Sequence, residues 1–193
     1  MSRILIVRHG ESTWNAARRW QGHADAPLSE AGWNQARAAA SSLVGKFDGA
    51  WASDLSRAYD TAVTLAAAVG LTEVCADARL RERAAGAWEG HTRDEIEAQW
   101  PGYLSDGRRP EGYEDDDAIT GRVLPALTEI AMAHRQALVV AHGGVIRAIE
   151  RYLTNADSSI PNLGGRWLSY DDCEFRMLES VELVPADVPT NIE

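Results

Sequence analysis

The stretch ILIVRHGESTW, residues 4–14, decides the fold. Ile4-Leu5-Ile6-Val7 is an unbroken β-branched and leucine run, as expected for a strand covered on both faces in a parallel sheet. It stops abruptly at Arg8-His9-Gly10. In open α/β sheets, ligands bind beyond the carboxyl ends of strands, where loops and helix N-termini converge. A dry strand that delivers a guanidinium, an imidazole and a glycine to that end therefore predicts a ligand crevice. ALVVAHGG, residues 137–144, repeats the design: an apolar strand, a histidine, then glycine.

The segments between these strands alternate in type. Ser29 offers an N-cap for an alanine-rich helix over 33–44. Residues 49–53 read as a short strand. Leu55, Ala58, Tyr59, Ala62, Leu65, Ala66 and Val69 form one stripe of a helix that Gly70 stops. Glycines and prolines from Gly86 to Gly112 mark a loop-rich insertion over about 83–114, with room for a short helix over 92–100. The acidic run Glu114-Asp115-Asp116-Asp117 suits the positive end of a long helix. Within that helix, Pro125 predicts a kink or a late start. A helix over 145–153 follows the second strand, and segments 167–170 and 174–184 predict sheet-edge strands. The last eight or so residues are expected to fray. Strands alternating with helices indicate an α/β sandwich with a mostly parallel central sheet, in a single domain over 1–193.

Composition narrows the ligand. The 193 residues, 45% apolar and 25% charged, suit one globular domain with a sizeable core. A net charge of −10 argues against nucleic acid or an anionic membrane as partner. Any anionic ligand must be gathered by a local positive cluster. Two cysteines suit a reducing compartment. Only four apolar residues precede Arg8, too few for a signal-peptide core, and nothing approaches a membrane span. The expectation is a soluble, cytoplasmic protein, and no feature of the sequence sets its oligomeric state.

That cluster can be assembled from the motifs. If the two histidine-bearing strands are neighbours, His9 and His142 meet in one crevice, and Gly10 and Gly143 let backbone N–H groups approach a ligand. SDLSRAYDTA, residues 53–62, places Arg57 in the first turn of a helix whose positive end adds to its charge. Arg8, Arg57, two imidazoles and several N–H donors make a cup for a phosphoryl group, whose oxygens guanidinium forks match bidentately. Arg57 has a plainer alternative, pairing with Asp54 or Asp60. Glu82, between Arg81 and Arg83, also reads as part of an exposed ion-pair cluster. His9, His142 and Glu82 are a poor zinc site beside two arginines, so no metal and no cofactor are expected. His23, His91 and His134 read as surface or packing residues. Trp14, Trp20 and Trp88 fall near the motifs and are candidates for a pocket wall.

RHGES, SDLSRAYDTA, LRERAAGAWEG and VAHGG occur here in the order of the histidine phosphatase superfamily, also called the phosphoglycerate mutase-like family. The chain resembles that family from Ile4 to about Leu163. The resemblance implies a three-layer α/β/α sandwich. It also implies that His9 is the nucleophile that becomes phosphohistidine, that Arg8, Arg57 and His142 complete the phosphate pocket, and that Glu82 is the acid–base carboxylate. Asn15, Gln21 and Gly22 match positions lining the substrate pocket, as does Arg83, which follows Glu82 as in mutases. In the implied chemistry a neutral imidazole attacks phosphorus in line, while Arg8, Arg57 and a protonated His142 neutralise the oxygens.

The same residues serve phosphatases and mutases. Glu82 and His142 are 60 positions apart, short beside the mutases, whose longer insertion covers the site. This favours a cofactor-independent phosphomonoesterase acting on a small phosphorylated metabolite such as a sugar phosphate, a phosphoglycerate derivative or a nucleotide-loop precursor of cobalamin. Phosphoglycerate mutase is the alternative, supported by RHGESTWN, by Arg83 and by Arg108-Arg109, which resemble a tandem arginine used there on the substrate carboxylate. EGYEDDD replaces the Gly-Glu-Ser usual in compact phosphatases. A non-catalytic phospho-ligand binder is the third possibility, opposed by the intactness of every matched catalytic position.

Overall fold

The protein is described from a computed structural model over residues 1–184. Along the chain run β1 (Ser2–Arg8), α1 (Thr13–Ala16), α2 (Glu30–Ser42), β2 (Gly49–Ala52), α3 (Ser56–Ala68), β3 (Cys75–Ala76), α4 (Arg93–Gln99), α5 (Tyr103–Asp106), α6 (Asp116–Ala133), β4 (Gln136–Ala141), α7 (Gly143–Thr154), β5 (Gly164–Asp171) and β6 (Glu174–Glu182), with 3-10 turns at Ala78–Leu80 and Gly86–Trp88. The strands form one sheet in the order β3-β2-β4-β1-β5-β6. β3, β2, β4 and β1 are parallel, and β5 and β6 join antiparallel.

The apolar run of β1 explains the three layers. Side chains alternate across a strand, so Ile4 and Ile6 enter a core with α6 and α7, while Leu5 and Val7 enter a second core with α2 and α3. β4 divides in the same way, Ala137 and Val139 to one face, Leu138 and Val140 to the other. All eight are at most 1% exposed. The architecture is an α/β/α sandwich around a mostly parallel sheet.

Local signals set the helix starts. Ser29, Thr92 and Asp115 each cap a helix, accepting from the backbone N–H of Gly32, Glu95 and Ala118. Gly70, at φ +81°, stops α3. Two expectations are corrected. Pro125 does not delay α6, which begins at Asp116 and runs through the proline, although a proline has no N–H to give the carbonyl four residues earlier. Of the two C-terminal strands only β6 is an edge strand, because β5 lies between β1 and β6. The frayed tail expected beyond 184 lies outside the described residues.

The insertion after Leu80 has its own small core, in which Trp88, Ala85 and Ile96 are packed by Trp20 and Tyr113. A seam joins it to the first motif: Trp20 N–H donates to His91 O at 2.9 Å, Gly90 N–H donates to Trp20 O at 2.8 Å, and Arg19 pairs with Glu95 at 3.0 Å. Cys75 and Cys173 are free and exposed. Among the described residues no helix is long and apolar enough to cross a membrane.

Candidate active site

β1 and β4 lie side by side with Arg8 opposite Ala141, so the residues that follow each strand emerge together. His9 N–H donates to Ala141 O at 3.1 Å, and the rings of His9 and His142 stand edge to face with centroids 5.1 Å apart. β2 lies on the far side of β4, and Ser53 N–H bonds Val140 O at 3.0 Å. This sets the start of α3, and Arg57 in its first turn, beside the same crevice. His142 is itself the N-cap residue of α7, so the positive end of that helix faces the site. Arg8, His9, Arg57 and His142 are all buried, at most 1% exposed.

The guanidinium groups are braced from behind. Arg8 Nη1 donates to Ile160 O at 2.8 Å; Arg57 Nη1 and Nη2 donate to Ala24 O and Gly22 O at 2.8 and 3.0 Å. Of the two carboxylates considered as plainer partners for Arg57, Asp54 pairs instead with Arg81 at 2.6 Å. Gly22 thus contributes a carbonyl rather than open space.

His9 Nδ1 lies 2.6 Å from Gly10 O. A carbonyl only accepts, so Nδ1 carries the proton and Nε2 presents a lone pair. Burial first, then Arg57 and Arg8, hold His9 well below the usual imidazole range, partly offset by the Gly10 carbonyl. Burial, Arg57, His9, Arg122 and Arg8 do the same to His142. Without a ligand, burial and the arginine field thus disfavour the charged form of both imidazoles. Among the described residues neither ring nitrogen of His142 has a hydrogen-bond partner. Buried polar groups seldom stay unsatisfied, so this ring marks a place for a ligand.

Glu82 lies at the rim, 9% exposed. Arg83 N–H donates to its Oε1 at 2.7 Å and Gly144 N–H to its Oε2 at 3.2 Å. Its carbonyl accepts from His23 Nε2 at 2.8 Å and from Arg122 Nη2 at 3.0 Å. His23 therefore braces the Glu82 segment, a role its isolated place in the sequence did not signal. Gly143 opens α7 directly after His142.

The remaining candidates are spread around this centre. Ser12 accepts from Asn15 N–H at 3.0 Å and donates to Gln21 Oε1 at 2.6 Å, so Asn15 and Gln21 sit together on the turn below Gly10. The guanidinium of Arg83 is taken by Asp116 and by the Glu114 carbonyl. Arg108 pairs with Asp106 and lies over Tyr103, while Arg109 lies over Trp88 and Tyr113. Trp88 is core to the insertion, with Trp20 edge-on at 5.2 Å.

Sequence reasoning missed Thr61, Gly144 and Asn162. Thr61 Oγ1 accepts Gly10 N–H at 3.1 Å, and Asn162 Nδ2 donates to His9 O at 2.9 Å. Thr61 had a signal, one helical turn after Arg57; Asn162 had none nearby.

The model of the histidine phosphatase superfamily (branch 1) matches residues 4–181. The metal-independent phosphoserine phosphatase of Arabidopsis thaliana is 39% identical over 171 residues, 82% of this chain and 71% of that protein. The glucosyl-3-phosphoglycerate phosphatase of Mycobacterium tuberculosis is 38% identical over 181 residues, 84% of this chain and 80% of that protein. Among solved structures, a mycobacterial glucosyl-3-phosphoglycerate phosphatase complexed with VO3 superposes with a TM-score of 0.80 at 33% identity, covering 92% of this chain and 97% of that one. The phosphoglycerate mutase of Bacillus anthracis shares the fold, with a TM-score of 0.79 at 23% identity over 94% of this chain and 92% of that one. The chain belongs to branch 1 of the histidine phosphatase superfamily and is an enzyme of that family.

Proposed function

We propose that the chain hydrolyses a small phosphorylated metabolite through a phosphohistidine on His9, without metal or cofactor. The observation that carries this is the tautomer of His9: with Nδ1–H held by Gly10 O, the lone pair of Nε2 is exposed in a cup made by Arg8, Arg57 and the unpartnered ring of His142. Nε2 attacks phosphorus, the P–O ester bond breaks, and Glu82 gives the departing alkoxide its proton. Glu82 then takes a proton from water, whose oxygen attacks phosphorus and breaks the P–N bond. Inorganic phosphate leaves and His9 is restored. Arg8 and Arg57 neutralise the equatorial oxygens, and the dianion offsets the arginine field enough for His142 to take a proton and donate it. Gly143 at the start of α7 supplies an N–H donor, Asn15 and Gln21 form one side of the substrate pocket, and Gly22 braces Arg57 behind it. One domain over 1–193 carries the activity, its insertion over 83–114 forming the opposite side.

Net charge of −10 supports a small ligand over nucleic acid or a membrane, and two exposed thiols suit a reducing compartment such as the cytoplasm. Arg83, which favoured a mutase, is a strut between Glu82 and α6, since its guanidinium is committed to Asp116. The test is a panel of phosphoserine, glucosyl-3-phosphoglycerate, 3-phosphoglycerate and sugar phosphates, run beside a coupled mutase assay. Inorganic phosphate should be released with EDTA present, and an acid-labile, base-stable phosphoenzyme should be trapped on quenching. His9→Ala should lose at least about 1,000-fold in turnover with its fold intact. Near-full activity in that variant would overturn the nucleophile.

A further inference from the structure

The peptide that joins His9 to Gly10 is held at both of its polar atoms. Its carbonyl, His9 O, accepts from Asn162 Nδ2 at 2.9 Å, and its N–H, on Gly10, donates to Thr61 Oγ1 at 3.1 Å. Both holding side chains are buried, Thr61 at 0% and Asn162 at 1% exposure. They come from opposite sides. Thr61 stands on α3, one turn after Arg57, and its hydroxyl donates onward to Arg57 O at 2.7 Å. Asn162 stands in the segment before β5, whose Ile160 carbonyl holds the Arg8 guanidinium and whose Leu163 N–H donates to Arg8 O at 3.1 Å.

We propose that Thr61 and Asn162 are paired positioning residues that clamp the His9–Gly10 peptide and thereby fix which ring nitrogen of His9 faces phosphorus. This rests on His9 as the nucleophile. With the peptide plane fixed, the conformation about Gly10 aims the next carbonyl, Gly10 O, at His9 Nδ1, 2.6 Å away. Gly10 is the residue least able to hold such a conformation unaided, since it lacks the steric restraint of a Cβ. Without the clamp Gly10 O can swing away, both tautomers become accessible, and the ring presents Nε2 only part of the time. The Thr61 hydroxyl donates to Arg57 O, which orients it so that a lone pair of Oγ1 meets the Gly10 N–H.

The experiment compares Thr61→Val, Thr61→Ser, Asn162→Asp and Asn162→Ala with the parent enzyme. The readouts are single-turnover phosphoenzyme formation, affinity for inorganic phosphate, and the nitrogen NMR of labelled histidine. Thr61→Val and Asn162→Asp should slow phosphoenzyme formation by about 10- to 100-fold, the loss typical of a misaimed reacting group. Affinity for inorganic phosphate should stay within about threefold, because Arg8 and Arg57 keep their own carbonyl braces. His9 should lose its single Nδ1–H signature. Thr61→Ser, which keeps the acceptor, should recover most of the rate. Asn162→Ala reports on the same donor should Asn162→Asp fail to fold. Parent-like phosphorylation rates with the tautomer retained would overturn the clamp, and so would phosphate affinity falling in step with the rate. Failure of the nucleophile assignment is distinct: His9→Ala would then keep turning over, whatever the clamp variants do.

Discussion

Gly144 shows how closely the candidate site is packed at single-residue scale. A Cβ there would lie 2.4 Å from Glu82 Oε1, inside contact range, and 3.5 Å from the Arg83 Cβ. The missing side chain lets the first turn of α7 come up under the Glu82 carboxyl and donate to it. Gly144→Ala should push Glu82 out of place and lower kcat by about 10- to 100-fold, measured in steady state with the best substrate of the panel. An unchanged kcat would remove Glu82 from the role of acid and base. Contiguity decided which residues were legible from sequence. Arg8, His9 and Gly10 are consecutive on a strand end, and His142 copies them. Arg83 follows Glu82 in sequence, yet its guanidinium meets Asp116, 33 positions away, a contact no local pattern signals. Asn162 reaches His9 across 153 positions, and no local pattern signals such a contact.

At the scale of elements, the sequence was most readable where a helix or strand is specified by its own residues. Caps at Ser29, Thr92 and Asp115 and the apolar runs of β1 and β4 are of this kind. β5 is not: its neighbour is β1, and only the sheet order reveals that an expected edge strand is interior. The same order brings the segment before β5 alongside the end of β1, which is how Ile160 and Asn162 reach Arg8 and His9. A buried ion pair holds that segment. Arg166 of β5 donates to Glu150 of α7 at 2.9 Å, the side chains only 10% and 7% exposed, and the other Glu150 oxygen accepts Ser158 N–H at 2.8 Å. Removing one member of a buried pair leaves the other charged and unsatisfied. Glu150→Ala should therefore cost about 3–5 kcal/mol of stability, read as a lower urea midpoint. A midpoint equal to the parent's would show that Arg166 finds water instead.

Over the whole molecule, two imidazoles buried in a positive cup tie stability to pH. Their pKa values lie well below the 6.5 of an unfolded histidine, because burial and Arg57 penalise the charged form. Below that pH the unfolded chain binds protons that the folded protein refuses, so stability falls as pH drops, by up to about 1.4 kcal/mol per pH unit for each histidine. The carboxylates act lower: Asp116, held at about 2 by Arg151 and Arg83, contributes stability that is lost only as pH falls below the ordinary value of 3.8. Thermal unfolding at about pH 8 and about pH 5.5 isolates the histidine window, and His142→Gln should flatten the slope. Equal melting temperatures at the two pH values in the parent protein would contradict buried neutral rings.

The seam between the turn carrying Arg19 and Trp20 and the stretch from Gly90 to Glu95 bears on how such an enzyme changes its preference for substrates. Backbone bonds run across it in both directions, so the insertion is riveted to the segment that follows α1. A transplanted insertion from a relative will seat only if its matching half of the rivet line travels with it. On the proposed function, selectivity would then travel as a two-part module, cut from distant places in the gene.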